Sequence, residues 1–151
     1  MKDKAPAGLR NRLGIAIAQR TYKAYRELLA SPRWASLAKA GARPQRMLWA
    51  STGTKDPAAR DVLYVEALAA PDTIDTIPEK TLAAFADHGK AGAVMRPDGG
   101  DAQETIAQFK RAGVDVDALA AFTLELRGDA FAKSWSDLMG RIAAKSDVLA
   151  A

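Results

Sequence analysis

The sequence contains no cysteine and only one histidine among its 151 residues. Without cysteine the chain has no disulfide framework, no thiolate nucleophile and no thiolate metal site. No apolar run approaches the roughly 18 residues that span a bilayer. The N-terminal segment lacks the uninterrupted apolar region and the small-residue cleavage site of a secretory signal. These absences favour a cytoplasmic protein that does not associate with a membrane.

The composition and the charge distribution are those of a globular chain. With 48% hydrophobic and 26% charged residues, residues 1–151 are long enough to bury a core and are expected to form a single segment. Residues 1–60 hold 13 Lys and Arg against 3 Asp and Glu, whereas residues 61–151 hold 9 against 15. A basic half can attract nucleic acid or phosphorylated ligands. Because its charges are spread along helical segments without a nucleic-acid-binding signature, solvated helix faces explain most of them, and no nucleic-acid partner is expected.

Hydrophobic periodicity predicts helices that alternate with two short strands. The order is helix, helix, strand, helix, strand, helix, followed by helices only. The predicted helices cover 9–30, 31–41, 59–69, 77–89, 101–112, 115–127 and 129–146, and the predicted strands cover 47–50 and 73–76.

Three helix boundaries carry specific signals. Ser31 followed by proline is typical of an N-cap. Thr76 and Glu79 have the spacing of a capping box, with a proline in the first turn. His88 directly precedes Gly89, where its side chain is expected to meet the last carbonyls of the helix.

The strand count points to part of a larger fold. Strands that alternate with helices favour a parallel sheet. Two parallel strands cannot form a stable sheet alone, because each needs neighbours on its hydrogen-bonding edges. A complete (β/α)8 barrel takes about 250 residues. The pattern therefore predicts an α/β, helix-rich segment of a barrel.

Three blocks within residues 43–89 resemble one enzyme family. "LWASTGTKDP", "DVLYVEAL" and "PDTIDTIPEKTLAAF" follow one another in the order and at the spacing found in the C-terminal region of bacterial transaldolases, including the transaldolase arm of fusions with glucose-6-phosphate isomerase. The resemblance covers nearly the whole chain. It implies the C-terminal segment of a TIM (β/α)8 barrel, with strands 7 and 8, their flanking helices, and a C-terminal helical cap at about 101–151.

The loop after the first predicted strand is the main candidate site. Its hydroxyls, a glycine that allows close backbone approach, and a lysine suit a phosphate group, but a turn with a solvated lysine explains the same residues. Loops after strands 7 and 8 of such barrels often bind phosphate. The resemblance places Ser51 and Lys55 where the family holds the terminal phosphate of the sugar. The further candidates for lining the pocket are Thr52, Gly53, Thr54 and Thr76.

The resemblance also implies a reaction. Transaldolases transfer a dihydroxyacetone unit from sedoheptulose 7-phosphate to glyceraldehyde 3-phosphate in the pentose phosphate pathway, through a Schiff base on a lysine of the fourth strand. That lysine, the strand-1 aspartate, the strand-3 glutamate and the strand-6 arginine of the family have no counterpart here, so no catalytic residue is expected in this chain. No cofactor is implied. Asp72, Asp75 and Asp87 lack metal-ligand spacing, and no metal is implied.

Two functions remain open from the sequence. The chain is either a piece of a transaldolase or a free-standing, non-catalytic module that binds a phosphorylated sugar or a partner protein. In both cases the expected partners are a phosphorylated sugar and either the remainder of the barrel or a self-association partner, because the sheet edges need cover.

Overall fold

The computed structural model describes residues 6–150, which form six α-helices and one two-stranded sheet after a 3-10 turn at Ala7–Leu9. The chain divides into two compact units, residues 1–113 and residues 114–151. Within residues 6–150, no helix is both long and apolar enough to cross a membrane. The helices are α1 (Arg12–Leu29), α2 (Pro32–Lys39), α3 (Leu63–Ala67), α4 (Glu79–His88), α5 (Ala102–Arg111) and α6 (Val116–Ala150), and the strands are β1 (Met47–Trp49) and β2 (Thr73–Asp75).

The two strands pair in parallel, as the alternating pattern predicts. Leu48 lies opposite Ile74 and Trp49 lies opposite Asp75. The connection between the strands contains α3, which provides the crossover that a parallel pair requires. Since side chains alternate along a strand, Trp49 is buried while Leu48 and Ile74 are 52% and 43% exposed. One face of the sheet therefore packs on the core and the other carries exposed apolar side chains.

The core of the first unit joins α1 to the sheet. Tyr22, Trp49, Leu68 and Met95 form one buried cluster. The hydroxyl of Tyr22 donates a hydrogen bond to the carbonyl oxygen of Pro71 at 3.2 Å. Tyr22 packs against Trp49 of β1. Because Pro71 lies two residues before β2, the hydrogen bond from Tyr22 also holds the turn that leads into β2.

Helix α1 is also tied to later parts of the first unit. It packs along α5, and the Arg12 guanidinium lies 2.8 Å from the Asp101 carboxylate at the start of that helix. A second ion pair joins Arg26 to Asp72 at 2.9 Å. The paired residues are 89 and 46 positions apart in the sequence, so α1 connects distant segments of the first unit.

The predicted capping box at the start of α4 is wrong. The N-cap position is Pro78, and no side chain caps the helix. Thr76 instead extends the strand pairing, because its backbone N–H and its hydroxyl both donate to the carbonyl oxygen of Trp49, at 3.0 and 3.2 Å. The His88 cap is wrong as well, since the two ring nitrogens contact Asp61 and Asp87. In both places the side chain forms a hydrogen bond with a residue outside the helix end or with its neighbour instead of capping the helix.

The second unit is one helix where two were predicted. Residues 115–127 and 129–146 belong to the continuous helix α6. Gly128 costs about 1 kcal/mol relative to alanine but does not by itself end a helix. Asp115 starts the helix, because its carboxylate accepts hydrogen bonds from the backbone N–H groups of Asp117 and Ala118 at 3.1 and 2.9 Å.

Large apolar side chains are exposed along α6. Phe131 and Trp135 are 76% and 65% exposed. The other exposed large apolar residues of this helix are Phe122, Leu124, Leu138, Met139, Ile142, Val148 and Leu149. A helix with this much exposed apolar surface is typical of an element that packs against another surface.

Candidate functional site

The candidate site lies where both strands end. The carboxyl ends of parallel strands meet at one edge of a sheet, and ligands of α/β folds bind at that edge. Residues 50–56 follow β1 there, and residues 76–78 follow β2. The backbone N–H of Thr76 donates to the carbonyl oxygen of Trp49 at 3.0 Å, so the two exits are held side by side.

Ser51 is exposed and has an uncommon backbone conformation. Its φ angle is 61°, in the left-handed region that residues with a Cβ rarely adopt. Such a conformation persists only where the surroundings impose it, and it is found at ligand-binding sites. The residues on either side supply that constraint, since Trp49 is held through its carbonyl oxygen and Thr52 is buried.

Thr52 attaches the loop to the second strand. It is 2% exposed, and its hydroxyl donates a hydrogen bond to the Asp75 carboxylate at 3.0 Å. Burial raises the pKa of the Asp75 carboxyl, while the hydrogen bond from Thr52 opposes that rise. A partly buried carboxylate at the end of a strand therefore stands next to the loop.

The middle of the loop lies close to the start of α4. A Cβ added to Gly53 would lie 3.3 Å from Cγ of Pro78 and 3.5 Å from the hydroxyl oxygen of Thr81. Only glycine allows this approach without a shift of its neighbours. The next hydroxyl, that of Thr54, is buried and has no hydrogen-bond partner among residues 6–150.

Lys55 and Asp56 end the loop with opposite charges. Lys55 is exposed, and its side chain makes no ion pair within the described part of the chain. Asp56 accepts hydrogen bonds from the Asn11 side-chain amide at 2.8 Å and from the backbone N–H of Ala58 at 3.0 Å. The residue that follows Lys55 is therefore held in place by a side-chain and a backbone donor.

The loop thus presents its side chains in two directions. Ser51 and Lys55, predicted to hold a phosphate, are both exposed in the loop that follows β1. Thr52 is turned inward to Asp75, and the hydroxyl of Thr76 is bound to a carbonyl oxygen. The arrangement suits an anion, because a hydroxyl and an ammonium group lie on one short segment.

Sequence reasoning missed Asp75 as a member of the site. It considered this residue only as a metal ligand, yet residues 6–150 hold no group of three or more histidine and carboxylate side chains placed to bind a metal ion. The position of Asp75 in the sequence could have indicated this role, since Asp75 is the last residue of β2.

Comparison with known proteins decides the family. The profile of the family "Transaldolase/Fructose-6-phosphate aldolase" matches residues 1–142. The chain belongs to the transaldolase/fructose-6-phosphate aldolase family. The transaldolases of Frankia alni and Thermobifida fusca are 47% and 46% identical to it over 137 residues. That of Thiobacillus denitrificans is 42% identical over 134 residues.

The chain corresponds to part of these relatives. The matched residues cover 89% of this chain and 37% of each of the three transaldolases. The family implies a TIM barrel, and the described residues form a helix-rich structure with a small parallel sheet. In (β/α)8 barrels active sites lie at the carboxyl ends of the strands, and residues 50–56 follow the carboxyl end of β1.

Proposed function

We propose that this chain supplies a phosphate-binding loop of a transaldolase. In the proposed reaction a dihydroxyacetone unit passes from sedoheptulose 7-phosphate to glyceraldehyde 3-phosphate. The hydroxyl of Ser51 and the ammonium group of Lys55 bind the terminal phosphate of the sugar. The observation that carries the proposal is the exposure of both side chains in the loop that follows the carboxyl end of β1, in a chain of this family.

The electrostatics of the loop support phosphate binding. An ammonium group forms strong, charge-assisted hydrogen bonds with phosphate oxygens and needs no bidentate geometry. The adjacent Asp56 accepts a hydrogen bond from Asn11, the Asp75 carboxylate accepts one from Thr52, and Lys55 makes no ion pair among residues 6–150. Lys55 is therefore available to a ligand.

We further propose that the 151 residues alone do not catalyse the transfer. The mechanism needs a lysine that attacks a carbonyl as a neutral amine. Lys55 is exposed at the rim of the loop, and an exposed lysine is a poor amine nucleophile at neutral pH. We therefore assign the Schiff-base lysine to a part of the barrel outside these residues. The proposed location of the enzyme is the cytoplasm.

Ligand binding by the isolated chain tests the phosphate assignment. We expect fructose 6-phosphate to shift the amide NMR signals of residues 51–55 with a dissociation constant of about 1 mM, which corresponds to about 4 kcal/mol. Fructose lacks the phosphate and should not shift them. Lys55→Ala should weaken binding by about tenfold or more.

Lys39→Ala is the matched control, because Lys39 is an equally exposed lysine in α2. It should bind fructose 6-phosphate as the wild type does. Equal binding by Lys55→Ala and Lys39→Ala would show that the loop is a structural turn.

Activity measurements test the second part of the proposal. The purified chain should transfer no dihydroxyacetone unit from fructose 6-phosphate to erythrose 4-phosphate, and borohydride should trap no sugar adduct on it. An adduct trapped on Lys55 would contradict the placement of the Schiff base elsewhere.

A non-catalytic interaction module is the second candidate function. It is favoured by the exposed apolar pair Leu48 and Ile74 on one face of the sheet. Such a surface is covered either by the rest of a barrel or by another protein. Fusion of the chain to the remaining 63% or so of a relative distinguishes the two, because only a barrel segment should restore transfer activity.

A further inference from the structure

Among residues 6–150, the hydrogen bond between Thr52 and Asp75 is the side-chain hydrogen bond that joins the inner part of the loop to the sheet. It connects residues 23 positions apart at a distance of 3.0 Å. We propose that Asp75 is a positioning residue, which holds residues 51–55 in the phosphate-binding shape by accepting the hydrogen bond of the buried Thr52 hydroxyl. This inference rests on the proposed function of the loop.

The geometry gives Asp75 this role because it belongs to the sheet. Asp75 lies in β2 opposite Trp49, the last residue of β1. A hydrogen bond to Asp75 therefore fixes Thr52 relative to the strand from which the loop departs. Ser51 lies between these two fixed points with a left-handed backbone, so loss of the Thr52 anchor frees it to relax.

Burial makes the contact more important. Thr52 is 2% exposed, and a buried hydroxyl that loses its acceptor has no water to replace it. Without the Asp75 acceptor, Thr52 gains by leaving its buried position, and the loop moves with it. The contact therefore controls the loop conformation as well as the stability of one residue.

The negative charge of Asp75 is not needed for this role. A carboxylate near a phosphate site repels the ligand, so its charge opposes binding while its oxygen supports the loop. Asparagine offers the same acceptor oxygen without the charge. Asp75→Asn should therefore keep the loop in place, whereas Asp75→Ala should not.

Fructose 6-phosphate binding to four variants of the chain tests the inference. Asp75→Ala and Thr52→Val each remove the hydrogen bond and should weaken binding about three- to tenfold. Asp75→Asn and Thr52→Ser retain it and should bind within about twofold of the wild type, with Asp75→Asn equal or tighter. The double variant Thr52→Val/Asp75→Ala should lose no more than the single ones, because both remove one interaction.

A loss of affinity with Asp75→Asn as large as that with Asp75→Ala would overturn the inference. Thr52→Val changes little in volume, so it tests the same contact if Asp75→Ala does not fold.

Amide NMR spectra separate this inference from the proposed function. Asp75→Ala should shift the amide signals of residues 51–55 by more than Asp75→Asn does, while leaving those of α5 in place. Equal loop shifts in the two variants would refute the positioning role even if phosphate binds there. If the wild type binds fructose 6-phosphate no better than fructose, the phosphate assignment fails and the positioning role for phosphate fails with it.

Discussion

Replacing Ser51 by glycine is expected to stabilise the fold while it weakens phosphate binding. The φ angle of Ser51 is 61°, and a left-handed conformation costs a residue with a Cβ about 1–2 kcal/mol. Glycine avoids this cost but loses about 0.5–1 kcal/mol through its greater freedom in the unfolded chain. The net gain in the free energy of unfolding is therefore about 0.5 kcal/mol.

Alanine at the same position separates backbone strain from the hydroxyl. Ser51→Ala keeps the Cβ and its strain, so it should be about 0.5 kcal/mol less stable than Ser51→Gly. Both variants lose the hydroxyl and should bind fructose 6-phosphate about three- to tenfold more weakly. The two substitutions thus agree in binding and differ in stability.

Thermal unfolding followed by circular dichroism is the assay. For a unit of about 100 residues, a gain of 0.5 kcal/mol raises Tm by about 2–4 °C. Ser36→Gly is the control, because Ser36 lies in helix α2, where the change from serine to glycine should cost about 0.5 kcal/mol. If Ser51→Gly is less stable than Ser51→Ala, the left-handed backbone at this position is not a source of strain and the reasoning is refuted.

Three further predictions concern the core, the single histidine and the sheet face. Tyr22→Phe should lower the free energy of unfolding by about 1 kcal/mol, because it removes the hydrogen bond to the carbonyl oxygen of Pro71. Tyr25→Phe should leave the free energy of unfolding unchanged, because the buried Tyr25 hydroxyl has no hydrogen-bond partner among residues 6–150. Equal losses of stability in urea unfolding would contradict this prediction. The hydrogen bonds that the His88 ring donates to the Asp61 and Asp87 carboxylates raise the pKa of His88 above 6.5, so its contribution to stability is present below pH 6.5 and is lost as the pH rises through the raised value. His88→Gln should therefore flatten the unfolding profile in that range, and an unchanged profile would argue against the contact. The purified chain should self-associate through its exposed apolar surfaces, and a monomer in light scattering at all concentrations would count against it.

Much of the order of elements could be predicted because several boundaries carry a local signal. Ser31 accepts a hydrogen bond from the backbone N–H of Trp34 at 3.2 Å, as expected of an N-cap before proline. The two strands are confirmed, each one residue shorter than predicted. Short apolar runs followed by polar residues were sufficient to predict the two strands, because this pattern is local in the sequence.

The missed features depend on partners that are far away in the sequence. Thr76 and Glu79 have the spacing of a capping box, but Thr76 bonds to Trp49, 27 residues earlier. Asp75 looked like an isolated acid because its partner Thr52 precedes it by 23 residues. Periodicity contains no information on such contacts, so the part of the site that they form could not be predicted from local patterns.

The small polar residues after β1 now have separate physical explanations. Thr52 is turned inward to bond with Asp75, and Gly53 permits the approach of Pro78. These two contacts hold the loop against β2 and α4, which leaves Ser51 and Lys55 as its exposed side chains. A left-handed backbone alone does not mark a ligand site, because Asn11 and Asp72 share it with φ angles of 60° and 61°. The support for the proposed phosphate-binding role therefore comes from the combination of an anchored Thr52 with the exposed side chains of Ser51 and Lys55.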